Sequence, residues 1–226
     1  MSTADLPPPR VDDPTSRLRK ARRHLRKVDP VIAKIIDDRP DFDPHAWMDR
    51  LPPMDLFGSL LFGVAGQQLS VAATRRILAR VVSLFGGHMP SPEELLAADP
   101  ADLRAAGFSW RKVSTLRELA ERFNDGRLDM DELAKLPDDE FVSELTKVPG
   151  IGPWTAQGAL LVALRREDVV LPGDLALRKA VRAAYELDHL PSQDELLKMA
   201  EKWRPFRSLA TSYLFSAGFE SRSSSS

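Results

Sequence analysis

Leu145-Thr-Lys-Val-Pro-Gly-Ile-Gly-Pro-Trp-Thr-Ala156 is the stretch of sequence that decides the fold. A helical pattern ends here, Pro149 and Gly150 begin a tight turn, and Pro153 opens the next helix, since proline suits a first helical position. Glycine tolerates positive φ and leaves the backbone bare, so the N–H groups of the turn can face a phosphate at a helix N-terminus. The alternative is a plain helix–helix connection in which Gly150 and Gly152 serve only the turn.

The sequence on both sides of this turn repeats apolar residues at spacings of three and four, which is typical of amphipathic helices. Ser91-Pro-Glu-Glu94 is a helix start, with a serine cap, a proline and two acids in the first turn. Strand alternation is weak, at most over residues 169–171. We therefore predict an all-α fold. The predicted helical segments are 17–36 with a break at Pro30, two helices within 54–85, one from Ser91, and 99–107, 113–123, 129–136, 138–146, 153–164, 174–185, 192–203 and 206–217.

The composition excludes several classes of protein. The 226 residues are 43% hydrophobic and 29% charged, which is typical of a globular chain, and they include no cysteine. Disulfides, thiolate metal sites, iron–sulfur clusters and a cysteine nucleophile are therefore ruled out. The four histidines form no HxH or HxxxH pair that would indicate a metal site. A net charge of −1 means that any nucleic-acid surface is a local patch.

No segment has the features of a signal peptide or a membrane span. The longest apolar run, residues 56–65, is too short to cross a bilayer, so we expect a cytoplasmic protein with no membrane partner. We expect disordered ends at residues 1–14 and 221–226.

Asp174 is the most informative acidic residue. It lies in Leu171-Pro-Gly-Asp-Leu-Ala-Leu-Arg-Lys179, a proline/glycine loop that follows the hairpin. One interpretation is an N-cap for the helix that begins at Leu175. The other is a fixed carboxylate that stabilises an oxocarbenium-like sugar or activates a water molecule. The two roles are compatible, because a capping residue can face a cleft.

Taken together, these segments resemble the helix-hairpin-helix base-excision DNA glycosylases, and within them the 3-methyladenine DNA glycosylase II branch. The resemblance covers residues 54–219. It implies two helical domains, one formed by residues 15–53 with 167–220 and the other by residues 54–166, with the Gly-Ile-Gly turn at the cleft between them. Each segment alone is unspecific, but their order along the chain is specific. Besides the hairpin and the Asp174 loop, the similar segments are Ala65-Gly-Gln-Gln-Leu-Ser70, Gly107-Phe-Ser-Trp-Arg-Lys112, Trp203-Arg-Pro-Phe-Arg-Ser208 and Tyr213-Leu-Phe215.

The resemblance implies a monomeric enzyme that flips alkylated bases out of double-stranded DNA and hydrolyses their glycosidic bonds, with Asp174 as the catalytic carboxylate. Gln68 or Leu69 would be the wedge that fills the gap left by the flipped base. No cofactor is required, although main-chain carbonyls of Thr146, Val148 and Gly150 would hold a monovalent cation, sodium or potassium. The hairpin residues implied to bind DNA are Lys147, Pro149, Gly150, Ile151 and Gly152.

The expected base pocket is aromatic. Trp154 stands where lyases of the superfamily carry a Schiff-base lysine, which favours a monofunctional enzyme. Its indole face suits a cationic alkylated purine, because cation–π attraction contributes about 0.5–2 kcal/mol. Gly158, one helical turn later, indicates a roomy pocket. The other predicted pocket residues are Trp110, Tyr213 and Phe215; core packing is the alternative for each of them, and it is favoured for Trp203 and Phe206.

Two other functions stay open at this stage. One is a glycosylase/lyase for oxidised bases, which Trp154 argues against, and the other is a non-catalytic DNA-binding module that has no need of Asp174. Core packing is the alternative role for Leu69, and a helix N-terminal hydrogen bond is the alternative for Gln68. A modest basic patch near the cleft is expected from Arg111, Lys112, Lys147, Arg178 and Lys179.

Overall fold

The computed structural model describes residues 14–44, 46 and 51–223. Over these residues every regular element is a helix, which confirms the all-α prediction. They include no helix long and apolar enough to cross a membrane. The helices are α1 Pro14–Val28, α2 Pro30–Asp37, α3 Leu56–Gly66, α4 Val71–Leu84, α5 Pro92–Ala97, α6 Pro100–Ala106, α7 Trp110–Asn124, α8 Met130–Lys135, α9 Asp138–Thr146, α10 Pro153–Val162, α11 Leu175–Ala184, α12 Gln193–Ala200, a 3₁₀ turn at Glu201–Trp203, and α13 Arg207–Ser223.

Local capping chemistry explains why the helix starts were predictable. Ser91 forms a capping box, in which its hydroxyl accepts the amide of Glu94 while the Glu94 carboxylate accepts the amide of Ser91. Ser192 and Glu195 repeat this arrangement at α12. Residues 169–171, the one stretch with strand-like alternation, lie in the connection between α10 and α11.

Both predicted disordered ends require a correction at their inner edges. The first helix begins at Pro14, and α13 continues to Ser223, so residues 221–223 are helical. The remaining residues of the predicted ends, 1–13 and 224–226, lie outside the described residues.

The buried residues form two hydrophobic clusters. The first is built by α3 to α10, with Phe57, Phe108 and Phe141 at its centre. The second joins α1 and α2 to α11, α12 and α13 around Trp203 and Tyr213. These clusters divide the chain much as the predicted domains do, and the division into two domains stays a prediction.

The connection between α10 and α11 links the two clusters and fixes where α11 begins. Val169 belongs to the first cluster and Val170 to the second. Arg207 of α13 holds this connection, since it donates from Nε to Asp168 Oδ1 at 2.7 Å and from Nη2 to the Asp168 carbonyl at 2.6 Å. The start of α11 is thereby placed beside α10.

Candidate active site

The hairpin between α9 and α10 packs its apolar residues inward. Val148 and Ile151 are buried in the first cluster, and the Ile151 amide donates to the Val148 carbonyl at 3.0 Å. Gly150 has a φ of +90°, and a Cβ added to it would lie 2.1 Å from Thr115 Oγ1. Gly150 is therefore required by both backbone conformation and close contact with α7.

The outer side of the hairpin presents backbone donors. Pro149 and Gly150 are exposed, and Gly152 is the N-cap of α10 without any side-chain capping bond. In the part of the chain that the structure describes, the amides of Gly150, Gly152 and Trp154 have no protein acceptor. Such free amides at the positive end of a helix dipole suit an anionic oxygen.

Asp174 is the N-cap of α11, and it also meets the hairpin helix. Its Oδ1 accepts the amide of Leu177 at 2.8 Å, which confirms the capping interpretation. Its Oδ2 accepts the indole N–H of Trp154, also at 2.8 Å. The side chain is half-buried, so one carboxylate is held by two donors and still reaches solvent.

Trp154 lies where the two clusters meet. It belongs to α10 of the first cluster, yet its ring packs against the second. On its other side, Cη2 lies 3.6 Å from the point where a Cβ of Gly66 would stand. The sequence indicated a stacking face at Trp154, but it gave no signal that the indole nitrogen would donate to Asp174.

The wedge loop, residues 67–70 between α3 and α4, carries both candidate wedge residues at its tip. Gln68 has a φ of +59° and is exposed, and Leu69 is 44% exposed. This exposure excludes the core alternative for Leu69. At the start of α4, the Ser70 hydroxyl accepts a hydrogen bond from the Ala73 amide at 3.3 Å. The N-cap of α4 is therefore Ser70, and this excludes the alternative role of Gln68 as the residue that makes the helix N-terminal hydrogen bond.

Lys112 and Gln67, next to this tip, make contacts that the sequence did not predict. Lys112 donates from Nζ to the carbonyls of Ala65 and Gln67, both at 2.9 Å, and burial lowers the pKa of its ammonium. Gln67 donates from Nε2 to the Gly150 carbonyl and to Thr155 Oγ1, both at 3.0 Å. Their residue types are common on surfaces, and only the tertiary contacts distinguish them.

The remaining predicted pocket aromatics are in different environments. Trp110 is 59% exposed at the start of α7, and Phe215 is half-buried on α13. Tyr213 has no accessible surface, and its hydroxyl accepts a hydrogen bond from Arg22 Nε at 2.8 Å. The prediction that Tyr213 lines the open pocket is therefore wrong in this structure, because the side chain is a core residue.

The five residues of the predicted basic patch differ in their contacts. Lys112 points its ammonium at carbonyl groups, and Arg178 donates to the Pro191 carbonyl at 2.6 Å. The Lys147 ammonium pairs with Glu144 at 2.5 Å and stays exposed. Arg111 and Lys179 are exposed. These cations keep their charge, but the donors of Lys112 and Arg178 are partly used by the protein's own carbonyls.

The carbonyls expected to hold a cation are partly used by the protein. Val148 O accepts the Ile151 amide, and Gly150 O accepts Gln67 Nε2. A carbonyl oxygen has two lone pairs, so each keeps one for a weakly bound ion. Over the described residues, no cluster of three or more His, Asp or Glu side chains could hold a metal ion.

Comparison with known proteins agrees with this geometry. Residues 63–205 match the family described as HhH-GPD superfamily base excision DNA repair protein, and the chain belongs to that family. It is 34% identical to DNA-3-methyladenine glycosylase 1 of Schizosaccharomyces pombe over 88% of this chain and 86% of the relative. It is 32% identical to DNA-3-methyladenine glycosylase 2 of Escherichia coli over 74% of this chain and 59% of the relative.

A solved structure is similar over nearly its whole length. It is the 3-methyladenine DNA glycosylase of fission yeast in complex with abasic DNA, with a TM-score of 0.80 and 32% identity. The similarity covers 87% of this chain and 95% of that chain. The overall arrangement of helices is therefore similar to that of this solved structure.

Proposed function

We propose that this protein is a monofunctional DNA glycosylase that flips alkylated bases out of double-stranded DNA and excises them hydrolytically. Its substrates include 3-methyladenine and 7-methylguanine, and its product is an abasic site that starts base excision repair. The observation that carries the proposal is the Asp174 carboxylate, half-buried and fixed by the Trp154 indole beside the DNA-binding hairpin. The relatives named 3-methyladenine DNA glycosylases support it.

The proposed chemistry needs one carboxylate and one water molecule. As the bond between sugar C1′ and the base nitrogen breaks, its electron pair leaves with the base and positive charge grows on the sugar. Asp174 stabilises this charge, and it orients a water molecule whose oxygen bonds to C1′ and whose proton passes to the carboxylate or to solvent. An alkylated purine that already carries positive charge leaves without protonation, so no separate general acid is required.

Residue 154 supports hydrolysis without strand cleavage. A lyase needs an amine that forms a Schiff base with the sugar, and position 154 holds an indole instead. Lys147, on the other side of the turn, pairs with Glu144, and in this proposal it contacts the DNA backbone and does not act as a nucleophile. Borohydride trapping of the protein on damaged DNA would favour the lyase alternative; we expect no adduct.

The proposed pocket consists of Trp154, Trp110 and Phe215, with space at Gly158. A Cβ added at Gly158 would meet no atom within 4 Å, which supports the roomy pocket expected there. Aromatic rings attract cationic bases, and this attraction provides selectivity in addition to the weaker pairing of damaged bases. Gln68 or Leu69 fills the gap in the duplex.

The proposal has three further parts. The protein acts on double-stranded DNA as a monomer, in the cytoplasm and on the nucleoid if its host is bacterial. Free amides of the hairpin, with Lys147 and Pro149 beside them, hold the DNA backbone, and buried Ile151 supports the turn from inside the protein. A sodium or potassium ion, bound through the carbonyls of Thr146, Val148 and Gly150, reinforces the hairpin without taking part in the chemistry. The proposed ion is tested by measuring the affinity for duplex DNA at increasing potassium concentration and constant ionic strength.

The decisive experiment replaces Asp174 with Asn. Asparagine still caps α11 through its side-chain oxygen, but its NH2 group cannot accept the Trp154 N–H, so we expect a modestly lower melting temperature and nearly unchanged DNA affinity. Release of 7-methylguanine from a defined duplex should fall by about a hundredfold or more. Full activity of the variant would remove Asp174 from the mechanism. Failure of the unmodified protein to release any alkylated base, with intact DNA binding, would favour a non-catalytic binding module.

A further inference from the structure

The wedge loop is held on one side by a lysine of α7. Lys112 Nζ donates to the carbonyls of Ala65 and Gln67, each at 2.9 Å. Both carbonyls belong to the end of α3, where the helix leaves its last carbonyl groups unpaired and its dipole is negative. An ammonium at this place therefore fixes the point where the chain leaves α3 and enters the wedge loop.

The same loop is tied to the hairpin by Gln67. Its side-chain nitrogen donates to the Gly150 carbonyl and to Thr155 Oγ1, both at 3.0 Å. The main-chain carbonyl of Gln67 thus accepts a hydrogen bond from Lys112, while its side chain donates to the hairpin. A continuous set of hydrogen bonds runs from α7 through the wedge loop to the hairpin and α10.

The tip of the loop needs such support. Gln68 has a positive φ of +59°, which costs energy for a residue other than glycine. The Leu69 amide donates to the Gly66 carbonyl at 3.1 Å, and Ser70 caps α4 on the far side. The exposed tip therefore stands between two fixed points, Gln67 and Ser70.

We propose that Lys112 and Gln67 are positioning residues that hold the wedge tip at a fixed distance from the hairpin. This inference rests on the proposed function. When the hairpin binds the DNA backbone, the tip is then already placed at the base step from which the damaged nucleotide leaves. Lys112 and Gln67 assist base flipping through this placement and do not touch the reacting atoms.

Two variants and one control test the proposal. Lys112→Met removes the ammonium but keeps a long apolar stem, and Gln67→Glu keeps the size but replaces the N–H donors with acceptor oxygens. Lys135→Met is the matched control, because Lys135 is an exposed residue of α8 paired with Glu132. Melting temperatures are measured for all three proteins, and every assay is run well below the lowest of them.

The first measurement is the single-turnover rate of 7-methylguanine release from two duplexes, one with cytosine and one with thymine opposite the lesion. We expect Lys112→Met and Gln67→Glu to be about tenfold slower on the cytosine duplex, since small misplacements are costly. On the thymine duplex we expect near-normal rates, because an unstable pair flips with less help. The ratio of the two rates does not depend on how much of a variant is folded.

The second measurement needs no base release. A duplex with a tetrahydrofuran abasic analogue next to 2-aminopurine is titrated with proteins that also carry Asp174→Asn, and fluorescence reports unstacking by the wedge. We expect a smaller fluorescence increase at saturation for both variants and an unchanged increase for Lys135→Met.

Equal slowing of base release on both duplexes, or no slowing together with a normal fluorescence change, would overturn the positioning role. If even the unmodified protein releases no base, the proposed function fails, and the fluorescence alone decides the inference.

Discussion

The indole N–H of Trp154 orients the Asp174 carboxylate, a role that the sequence did not predict. The Trp154 N–H donates to Asp174 Oδ2 at 2.8 Å, while the Leu177 amide occupies Oδ1. Hydrogen bonds to an ionised group contribute about 1.5–3 kcal/mol, and this one fixes the rotamer as well. The indole therefore acts on the carboxylate besides offering a face to the base.

Trp154→Phe tests this contact, because it removes the indole N–H that donates to Asp174. Phenylalanine keeps the aromatic packing but loses the N–H donor, so we expect a melting temperature lower by several degrees. At a temperature where the variant stays folded, we expect base release to slow by about tenfold at nearly unchanged DNA affinity. Trp203→Phe is a matched control, because the Trp203 N–H donates to buried Asp29 at 2.7 Å. That change should reduce stability and leave the rate of the folded protein unaltered. A Trp154→Phe enzyme with full activity would contradict the positioning of Asp174 by the indole.

Gly158 offers a second residue-scale prediction. A side chain at this position enters open space, so Gly158→Trp should fold normally. It should slow release of bulky adducts such as ethenoadenine about tenfold more than release of 3-methyladenine, since the added ring narrows the pocket. Gly158→Ala is the control and should change neither rate by more than about twofold. Equal slowing of both substrates would show that Gly158 does not set the width of the pocket.

At the scale of the element, the hairpin uses its two glycines for different purposes. Gly150 has positive φ and touches Thr115, whereas Gly152 has a φ of −102° and open space where a Cβ would stand. The first glycine contributes to the stability of the folded protein. The second is required only if another molecule approaches the backbone there.

The two corresponding alanine variants should therefore separate folding from binding. We expect Gly150→Ala to lower the free energy of unfolding by about 3 kcal/mol, and Thr115→Ala in the same chain should restore part of it. Gly152→Ala should change stability by less than about 1 kcal/mol yet weaken binding to duplex DNA. Urea unfolding and fluorescence anisotropy measure the two effects. Normal DNA affinity in Gly152→Ala would argue against close contact between the DNA backbone and this turn.

At the scale of the whole molecule, Asp29 ties the N-terminal helices to the C-terminal ones. It is fully buried, and its Oδ1 accepts the amides of Val31 and Ile32 at 3.0 and 3.2 Å. Its Oδ2 accepts from Trp203 Nε1 at 2.7 Å and from the Tyr185 hydroxyl, and Lys202 Nζ lies 3.0 Å away. Burial by itself raises the pKa of Asp29, but the hydrogen bonds from Trp203, Tyr185 and Lys202 together bring it below its usual value.

This network predicts a specific dependence of stability on pH. Because the folded pKa lies below the ordinary 3.8, the ionised carboxylate stabilises the protein above that pH, and the stabilisation is lost as pH falls through the folded pKa. We expect Asp29→Asn to cost about 3 kcal/mol at neutral pH, with a smaller difference from the unmodified protein below pH 3.8. Urea unfolding between neutral and acidic pH measures this.

The exposed Asp37, which pairs with Arg26 on the surface, provides the control for Asp29. Asp37→Asn should change the free energy of unfolding by less than about 1 kcal/mol at neutral pH. A cost of Asp29→Asn that stays constant down to the acidic limit would show that ionisation of Asp29 does not contribute to stability.

The sequence by itself determined the helical fold, the helix starts, the hairpin and the N-cap at Asp174, because apolar periodicity and caps such as Ser91 act within a few neighbouring residues. Only the tertiary structure decided that Trp154 donates to Asp174, that Tyr213 lies in the core, and that Lys112 and Gln67 hold the wedge loop. Those contacts join residues far apart in the chain, and their geometry depends on how whole helices pack, which no local pattern of residue types specifies.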